Sequence, residues 1–555
     1  MTVEQAERWI AGWRGPLLAA LVALIAGLPG LLAMPPLDRD ESRYAQASSQ
    51  MLETRDFTNI RFQDQARHKK PVGIYWMQAV STGVLSNVEQ RDVRTYRVPS
   101  LLGAMLAAAA CAWGASALWG ARAGVLAGAL LGATFLLSSE AFIAKTDAVL
   151  CGAVTLSMAA LGRLYAEARG GPAAGRRAKP LFWAGLAAAI LVKGPVGPVV
   201  ALGALLTLWA WDRDARWMLR LGWGWGLIAL AAVVGPWAAA ITVATDGAFW
   251  GTAVGGDIAP KLAAGGHESH GAWPGWHALL LPVLFFPGAL LLAAAARTAW
   301  VRRADPGVRF AIAWFAPLFL LLELAPTKLV HYPLPVYGAL AWLVAAAVSE
   351  PLKRRERWIG AGLALAAAAA IGLSAVYALT RFGDPSDQPW VALAAGLAAV
   401  GALVGGILLI QRASMTALLA VGGFAILSHA VFAAAVLPRL EPLLVSPRLE
   451  RALVRSGLDP RLGFTPGPVA LAGYHEPSAV FLLGTRTELV SGEGAADAVA
   501  EGRPAAVEQR QEPAFRATLA QRRARALPAA TIEGYNYSKG EPVRLTLYRP
   551  QGSRR

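Results

Sequence analysis

The chain has 555 residues, of which 55% are hydrophobic and only 16% charged, and its mean hydropathy is +0.44. These values exclude an ordinary soluble protein of this length. The formal net charge of +16 does not indicate nucleic-acid binding, because the basic residues lie in short loops between apolar segments, where they orient a membrane protein.

Segments rich in Ala, Leu, Val and Gly recur along the chain, each near the roughly 20 residues that cross a bilayer. They predict an α-helical polytopic membrane protein with about 13 spans. The region 180–211 fits either one long helix or two short ones. The predicted spans cover 16–34, 99–118, 122–139, 148–168, 180–193, 196–211, 221–241, 275–296, 310–323, 333–349, 358–380, 390–410 and 413–437.

Basic residues predict the orientation of these spans. Arg169, Arg213 and Arg302 lie in loops that an alternating topology puts on one side. By the positive-inside rule that side is the cytoplasm, so residues after 437 lie outside it. We therefore expect a multi-pass membrane protein whose site lies on the extracytoplasmic side.

The loop 35–98 lies on the opposite side and is also basic, with Arg43, Lys69 and Lys70 among its cations. It is either a solvated loop with compensating acids or a cationic pocket for an anionic substrate such as a phosphate. Its pattern also predicts amphipathic helices along the membrane interface.

Three acids on this side are candidate catalytic residues. Asp40 and Glu41 directly follow the first span and suit a general base and its partner. The alternative is a helix cap for a segment that begins near Ser42. Asp147 lies in a later short loop, where an acid near hydrocarbon tends to be functional, although Asp also N-caps helices.

Cations and a tyrosine on the same side are candidate substrate-binding residues. Lys193 interrupts an apolar segment, either as a site residue or as a side chain that snorkels to the interface. Lys328, His331 and Tyr332 share one short loop and can all donate hydrogen bonds to phosphate oxygens. That all these groups fall on one side favours a functional site.

A metal is the weakest expectation. His267, Glu268 and His270 precede the eighth predicted span, but no third and fourth ligands are evident, so a Gly-rich loop is the alternative. No cofactor is certain, and a divalent metal remains one option. Cys111 and Cys151 lie in apolar segments without ligand spacing and are expected to be packing residues.

The composition changes after residue 437. Residues 438–555 predict a small extracytoplasmic α/β domain, distinct from a transmembrane domain at 1–437. Strands are expected at 469–472, 479–483 and 543–548, and a helix at 511–526.

The motifs together resemble the polyprenyl-phosphate-sugar-dependent glycosyltransferases of the GT-C class. Bacterial lipid A aminoarabinose transferases are the more similar group, and protein O-mannosyltransferases are more distant. The motifs are Asp40-Glu41-Ser42-Arg43-Tyr44-Ala45, Lys70-Pro71, Asp147, Lys193-Gly194, Lys328-Leu329-Val330-His331-Tyr332-Pro333-Leu334-Pro335, and in the tail Gly473-Tyr474-His475-Glu476-Pro477-Ser478 and Gly534-Tyr535-Asn536-Tyr537-Ser538.

The resemblance implies transfer of a sugar from a donor such as undecaprenyl phosphate to lipid A, another envelope glycan or a protein. It also implies a location in a bacterial inner (plasma) membrane, with the site facing the periplasm. It implies that Asp40 lies near the acceptor and the sugar C1, and that Asp147 is a second acid. The implied phosphate ligands are Arg43, Lys70 and Tyr332. The expected substrate-binding set contains these three phosphate ligands and also Tyr44, Lys69, Lys193, Lys328 and His331.

One position departs from the resemblance. The aminoarabinose transferases have a Glu that can contribute to a metal site where this chain has Lys69. The doubled cation Lys69-Lys70 favours a phosphate or an acidic sugar instead. A lipid-linked-sugar transporter or flippase is the alternative from another class, but it predicts charges within several spans and inverted repeats, which are not evident.

Overall fold

The computed structural model describes residues 3–258 and 271–551, which form a bundle of apolar helices joined to a small α/β domain. The main helices of the bundle are α1 (Val3–Ile10), α2 (Arg14–Ala33), α3 (Asp40–Thr54), α4 (Gly73–Leu85), α5 (Val93–Gly132), α6 (Phe135–Glu140), α7 (Asp147–Ala168), α8 (Ala178–Lys193), α9 (Val196–Asp212), α10 (Trp223–Ala244), α11 (Trp276–Leu284), α12 (Leu292–Val301), α13 (Pro306–Leu324), α14 (Tyr337–Val348), α15 (Arg354–Phe382), α16 (Gln388–Ile410) and α17 (Ser414–Val431).

The helices fit a multi-pass membrane protein. Within the described residues, eight are long and apolar enough to cross a bilayer, or up to nine if one bent pair forms a single span. The region 180–211 is two helices, α8 and α9, separated at Gly194, which has a φ of +61°. Helix α5 is broken at Gly120, between the second and third predicted spans. The count of about 13 spans stays a prediction.

The predicted span 275–296 is not one straight helix. Helix α11 and the helical segment 288–301 meet at an angle of 113°. Pro287 lies at the break, where its missing N–H and the restriction on the residue before it interrupt a helix.

Small residues let the first span lie close to α5. A Cβ added to Gly128 would lie 2.4 Å from the carbonyl oxygen of Ala108 and 2.7 Å from the Cβ of Ala19. Membrane helices associate through such close contacts because lipid removes the hydrophobic drive between them. Glycine at 128 is therefore required by packing.

The basic loops that were expected on one side do meet at one end of the bundle. Asp212, at the end of α9, pairs with Arg169 after α7 and with Arg309 near the start of α13. Nearby, Arg302 Nη1 lies 2.8 Å from Glu350 Oε1. The loop 35–98 contains α3, α4 and a short antiparallel hairpin of β1 (Arg61–Phe62) and β2 (Gln65–Ala66), so its predicted helices are present.

The tail forms a five-stranded sheet with helices on both faces. Strand order is β4-β3-β5-β7-β6, with β4, β3 and β5 parallel and β7 antiparallel to both β5 and β6. The strands are β3 (Ala470–Ala472), β4 (Glu488–Val490), β5 (Ala505–Glu508), β6 (Ala526–Asn536) and β7 (Glu541–Pro550). The helices are α18 (Val445–Arg455), α19 (Pro477–Leu483), α20 (Gly492–Ala500) and α21 (Glu512–Gln521).

The strand predicted at 479–483 is wrong, because this segment is helix α19. Pro477 occupies its first turn, where the fixed φ of proline suits a helix start. All seven of its residues are buried, with Phe481 and Leu482 packed against Ala45 and Tyr96 of the bundle. Because α19 is buried on every side, the segment 479–483 is apolar throughout and lacks the periodic spacing of apolar and polar residues that indicates a helix. The other predicted strands and the helix within 511–526 are confirmed.

Candidate functional site

Asp147 and Lys193 form the centre of the site. Asp147 is the first residue of α7, and Lys193 is the last residue of α8. Lys193 Nζ donates to Asp147 Oδ1 over 2.5 Å. The other carboxylate oxygen of Asp147 lies 3.6 Å from Lys145 Nζ. The position at a helix N-terminus also stabilises the negative charge.

Three further side chains complete what we call the Asp147 cluster: Glu140, Lys145 and His331. Lys145 Nζ lies 3.0 Å from Glu140 Oε2 and 3.4 Å from His331 Nδ1. His331 Nε2 lies 3.7 Å from Asp147 Oδ2. The cluster therefore joins α6, α7, α8 and the loop after α13.

The charges of the Asp147 cluster nearly balance. Burial lowers the pKa of His331 to about 3, although Asp147 opposes this shift, so the imidazole is neutral near pH 7. Burial also opposes protonation of Lys145, but Glu140, Asp147 and, more weakly, Asp40 raise the pKa of its ammonium. Burial raises the pKa of Glu140 to about 7, although Lys145 opposes this shift, so two ammonium groups face the Asp147 carboxylate and a Glu140 carboxyl group that titrates near neutral pH.

Asp40 lies at the start of α3 with its side chain 60% exposed. Its Oδ1 is 3.9 Å from Nη1 of Arg43, whose side chain is 42% exposed. The N-cap of α3 is Arg39, and no side chain caps this helix. The helix-cap interpretation of Asp40 therefore lacks the hydrogen bond that it needs.

Buried Tyr44 links Asp40 to the Asp147 cluster. Burial raises the pKa of the Tyr44 phenol, and the neighbouring Tyr75, Asp40 and Asp147 raise it further. The Arg67 guanidinium lies 5.1 Å from the centre of the Tyr44 ring, as in a cation–π contact. Burial alone would lower the pKa of Arg67, but Tyr75, Tyr44 and Asp40 raise it, so Arg67 stays cationic.

The remaining predicted phosphate ligands lie around these groups. Lys193 Nζ is 5.5 Å from the ring centre of Tyr332, which meets the His331 ring edge-on at 5.3 Å. Lys70 is half-buried and Lys69 exposed in the segment between β2 and α4. The roles assigned to these lysines stay predictions.

Glu41 does not occupy a catalytic position. It is 1% exposed, and its two oxygens accept hydrogen bonds from Arg97 at 2.8 and 2.7 Å. The backbone N–H groups of Leu37 and Ala144 also donate to Glu41, each at 2.8 Å. Every acceptor direction faces protein, so the expected catalytic role does not fit. Glu41 instead ties the loop after α2 to α5 and to the segment before α7.

The Lys328 side chain turns back towards the helix that precedes its loop. Its ammonium donates to the carbonyl oxygens of Leu322, Glu323 and Ala325 at 3.0, 2.7 and 2.7 Å. An ammonium has three N–H donors, and all three are used here. Lys328 therefore caps the C-terminus of α13, and the expected contact with substrate does not fit.

The described residues do not fit a metal. His267, Glu268 and His270 lie outside the described residues. Across 3–258 and 271–551, no three His, Cys, Asp or Glu side chains converge as metal ligands. Lys69 supplies no metal-binding atom while protonated. We therefore assign no residue to a metal.

Glu140, Lys145 and Arg67 were missed by sequence reasoning. Glu140 and Lys145 lie in the same short segment as Asp147, and three charges between two apolar helices were a usable signal. Arg67 belongs to the basic loop 35–98. Its burial beneath Tyr44 depends on tertiary packing, which the loop sequence does not reveal.

Comparison with known proteins gives sequence matches over part of the chain. A family model described as Dolichyl-phosphate-mannose-protein mannosyltransferase matches residues 36–247. An undecaprenyl phosphate-alpha-4-amino-4-deoxy-L-arabinose arabinosyl transferase from Pseudomonas paraeruginosa is 31% identical over 362 residues. That alignment spans 62% of this chain and 63% of the relative. The enzyme of the same name from Aeromonas salmonicida is 29% identical over 59% of this chain and 60% of the relative.

The fold is matched over nearly the whole chain. The crystal structure of ArnT from Cupriavidus metallidurans bound to undecaprenyl phosphate superimposes with a TM-score of 0.75, covering 98% of each chain at 19% identity. The apo structure of that protein gives 0.74. At this identity the likeness shows a shared fold. In sequence and in fold, the chain therefore resembles bacterial aminoarabinose transferases of the GT-C class.

Proposed function

We propose that this protein is an integral membrane glycosyltransferase that moves a sugar from a polyprenyl-phosphate donor to an extracytoplasmic acceptor such as lipid A. The observation that carries the proposal is that Asp40, which pairs with Arg43, is near enough to the Asp147 cluster to raise the pKa of Lys145. The Asp147 cluster lies at the opposite end of α7 from the Asp212 ion pairs. The relatives of this protein and the ArnT fold support the same class of reaction.

The cations of this site suit a phosphate leaving group. When the bond from the sugar C1 to the donor oxygen breaks, negative charge develops on the polyprenyl phosphate. Fixed cations stabilise that charge in the transition state. Arg43 is the best-placed group, because its guanidinium is partly exposed and only loosely paired, at 3.9 Å from Asp40. Lys70 and Tyr332 complete the proposed phosphate site.

Asp40 is the proposed base. Of the three acids predicted for catalysis, it alone is exposed, because Glu41 and Asp147 are buried in ion pairs. A carboxylate there can take the proton of an acceptor hydroxyl, or orient a phosphate acceptor, as the nucleophile attacks C1. A single displacement would invert the anomeric configuration.

Asp147 has a different proposed role. Its two oxygens face Lys193 and Lys145, so it holds cations in place rather than accepting a proton from substrate. Lys193 in turn lies against Tyr332, one of the proposed phosphate ligands. Asp147 would thus act on the donor through the groups that it positions.

A protein acceptor is the second candidate. The match of residues 36–247 to a protein mannosyltransferase family model favours it.

Mass spectrometry of lipids and envelope proteins from cells with and without this protein distinguishes a lipid A acceptor from a protein acceptor. Loss of one sugar from lipid A, or from a protein, identifies the acceptor. A strain carrying Asp40→Asn serves as the control for expression, and identical profiles in all strains would overturn the proposal.

The proposed location is the bacterial inner membrane, with the site and the tail domain in the periplasm. The basic loops at the Asp212 end support this orientation by the positive-inside rule. A reporter fused after residue 440 should be active only in the periplasm. If that fusion is active in the cytoplasm, the orientation is opposite to the proposed one, and an extracytoplasmic acceptor is contradicted.

A further inference from the structure

Two tail segments meet the loop that leads into Asp40. The Oγ of Ser478, at the start of α19, donates to Asp38 Oδ1, and the Ser478 backbone N–H lies 3.3 Å from the same oxygen. The backbone N–H of Asp38 donates to the Tyr537 hydroxyl over 2.6 Å. These contacts join residues 440 and 499 positions apart in the chain.

The next residue of the loop is held in a costly conformation. Arg39 has a φ of +64°, which L-residues other than Asn and Asp rarely adopt. Its Nη2 donates to the carbonyl oxygen of Ser538 over 2.6 Å. Such backbone conformations persist where surrounding contacts fix them, and they concentrate at functional sites. Here the fixing contacts come from the tail, and Asp40 follows directly.

The tail also holds the far end of α3. Gln46 Nε2 donates to Thr485 Oγ1 over 2.7 Å, and the Thr485 hydroxyl donates to Glu53 over 2.7 Å. Helix α19 packs Phe481 edge-on against Tyr96, with ring centres 5.4 Å apart. Helix α3 is therefore fixed by the tail at both ends.

We propose that the tail domain is a positioning element of the active site, in which Ser478 and Tyr537 hold the segment 37–40 so that Asp40 faces the substrate. The inference rests on the proposed function. Neither residue touches the Asp147 cluster, so both act through the loop. This proposal gives the tail motifs Gly473–Ser478 and Gly534–Ser538 a role in holding the segment before Asp40, although neither motif takes part in the transfer chemistry.

The test compares Tyr537→Phe and Ser478→Ala with a matched control, Tyr535→Phe. Among the residues that the structure describes, the Tyr535 hydroxyl donates to the carbonyl oxygen of Gly540 alone, over 2.8 Å, and its ring contact with Phe382 survives the change. Each full-length variant is assayed for sugar transfer at varied donor concentration. Hydrogen exchange of the peptide covering 37–41 is measured in parallel, because it reports the Asp38 amide without requiring activity.

We expect Tyr537→Phe and Ser478→Ala each to lower kcat about tenfold, because a small displacement of Asp40 from the substrate lowers the rate steeply. The donor KM and the melting temperature should stay near the wild-type values. Exchange at 37–41 should rise in both and stay unchanged in Tyr535→Phe. Faster exchange with an unchanged kcat would overturn the positioning role but leave the proposed function intact. If the wild-type protein is inactive with all polyprenyl-phosphate donors, the proposed function is overturned instead. Hydrogen exchange at 37–41 would then still show whether the tail domain holds this segment.

Discussion

Lys193 and Asp147 are 46 residues apart in the chain, yet the Lys193 ammonium lies 2.5 Å from an Asp147 oxygen. This pair joins the C-terminal end of α8 to the N-terminal start of α7. With Lys145 on the other oxygen, Asp147 is committed to holding cations. The exposed Asp40 is therefore the acid that we propose to act on the acceptor.

Arg43→Ala is expected to weaken donor use. A hydrogen bond to a charged group contributes about 1.5–3 kcal/mol, so its loss should raise the donor KM about tenfold or more. Lys70→Ala should act in the same direction. Steady-state transfer at limiting donor measures both.

The matched control for this series is Arg94→Ala, because Arg94 is exposed and pairs only with Asp92 in the described residues. Lys328→Met gives a second contrast. This variant should lower the melting temperature without changing the donor KM, since the hydrogen bonds of the Lys328 ammonium within the described residues all go to carbonyl oxygens at the end of α13. Normal turnover at limiting donor in both Arg43→Ala and Lys70→Ala would remove the cationic pocket.

Glu41→Gln is expected to destabilise the fold before it affects chemistry. Removing one partner of a buried ion pair leaves the Arg97 charge uncompensated, which costs about 3–5 kcal/mol. Thermal unfolding in detergent measures the loss. Asp92→Asn is the control, because it breaks an exposed pair worth about 0–1 kcal/mol and still caps α5. Equal melting temperatures for the two variants would contradict the structural role of Glu41.

The sequence predicted that Asp147, Lys193 and His331 share one side, because acids and cations recur at alternate loop positions, and these three side chains do meet in the Asp147 cluster. That pattern is local and needs no tertiary information. It could not tell an ammonium that faces substrate from one that turns back to cap a helix, as Lys328 does. Nor could it show Ser478 bonding to Asp38 across 440 residues. The helix α19 was misread because its burial on all sides removed the periodicity that distinguishes helix from strand.

Asp38 should make stability depend on pH. Burial raises its pKa from 3.8 to about 7; Glu476 adds to the rise, while Ser478 and Arg43 oppose it. The folded protein then binds this proton more tightly than the unfolded chain, so stability falls as pH rises from about 4 to 7. Tyr537 also faces this segment, and burial raises the pKa of its phenol further above its usual value, so it keeps its proton across that range.

Asp38→Asn removes this dependence. Its melting temperature should match the wild type near pH 4 and exceed it increasingly through pH 7. Differential scanning of both proteins at pH 4.5 and 8.5 checks the sign. A wild-type protein that gains stability relative to Asp38→Asn as pH rises would contradict a buried, protonated Asp38.

The most direct measurement is the rate of sugar transfer from a polyprenyl-phosphate donor by Asp40→Asn, which keeps the size of the side chain and removes its charge. Removing a general base lowers the rate about 10²–10⁴-fold. Asp64→Asn is the control, an exposed acid in the hairpin of the same loop. We expect Asp40→Asn to fold, to bind donor and to lose at least a hundredfold in rate, while Asp64→Asn stays near wild type. Near-normal transfer by Asp40→Asn would contradict its assignment as the base.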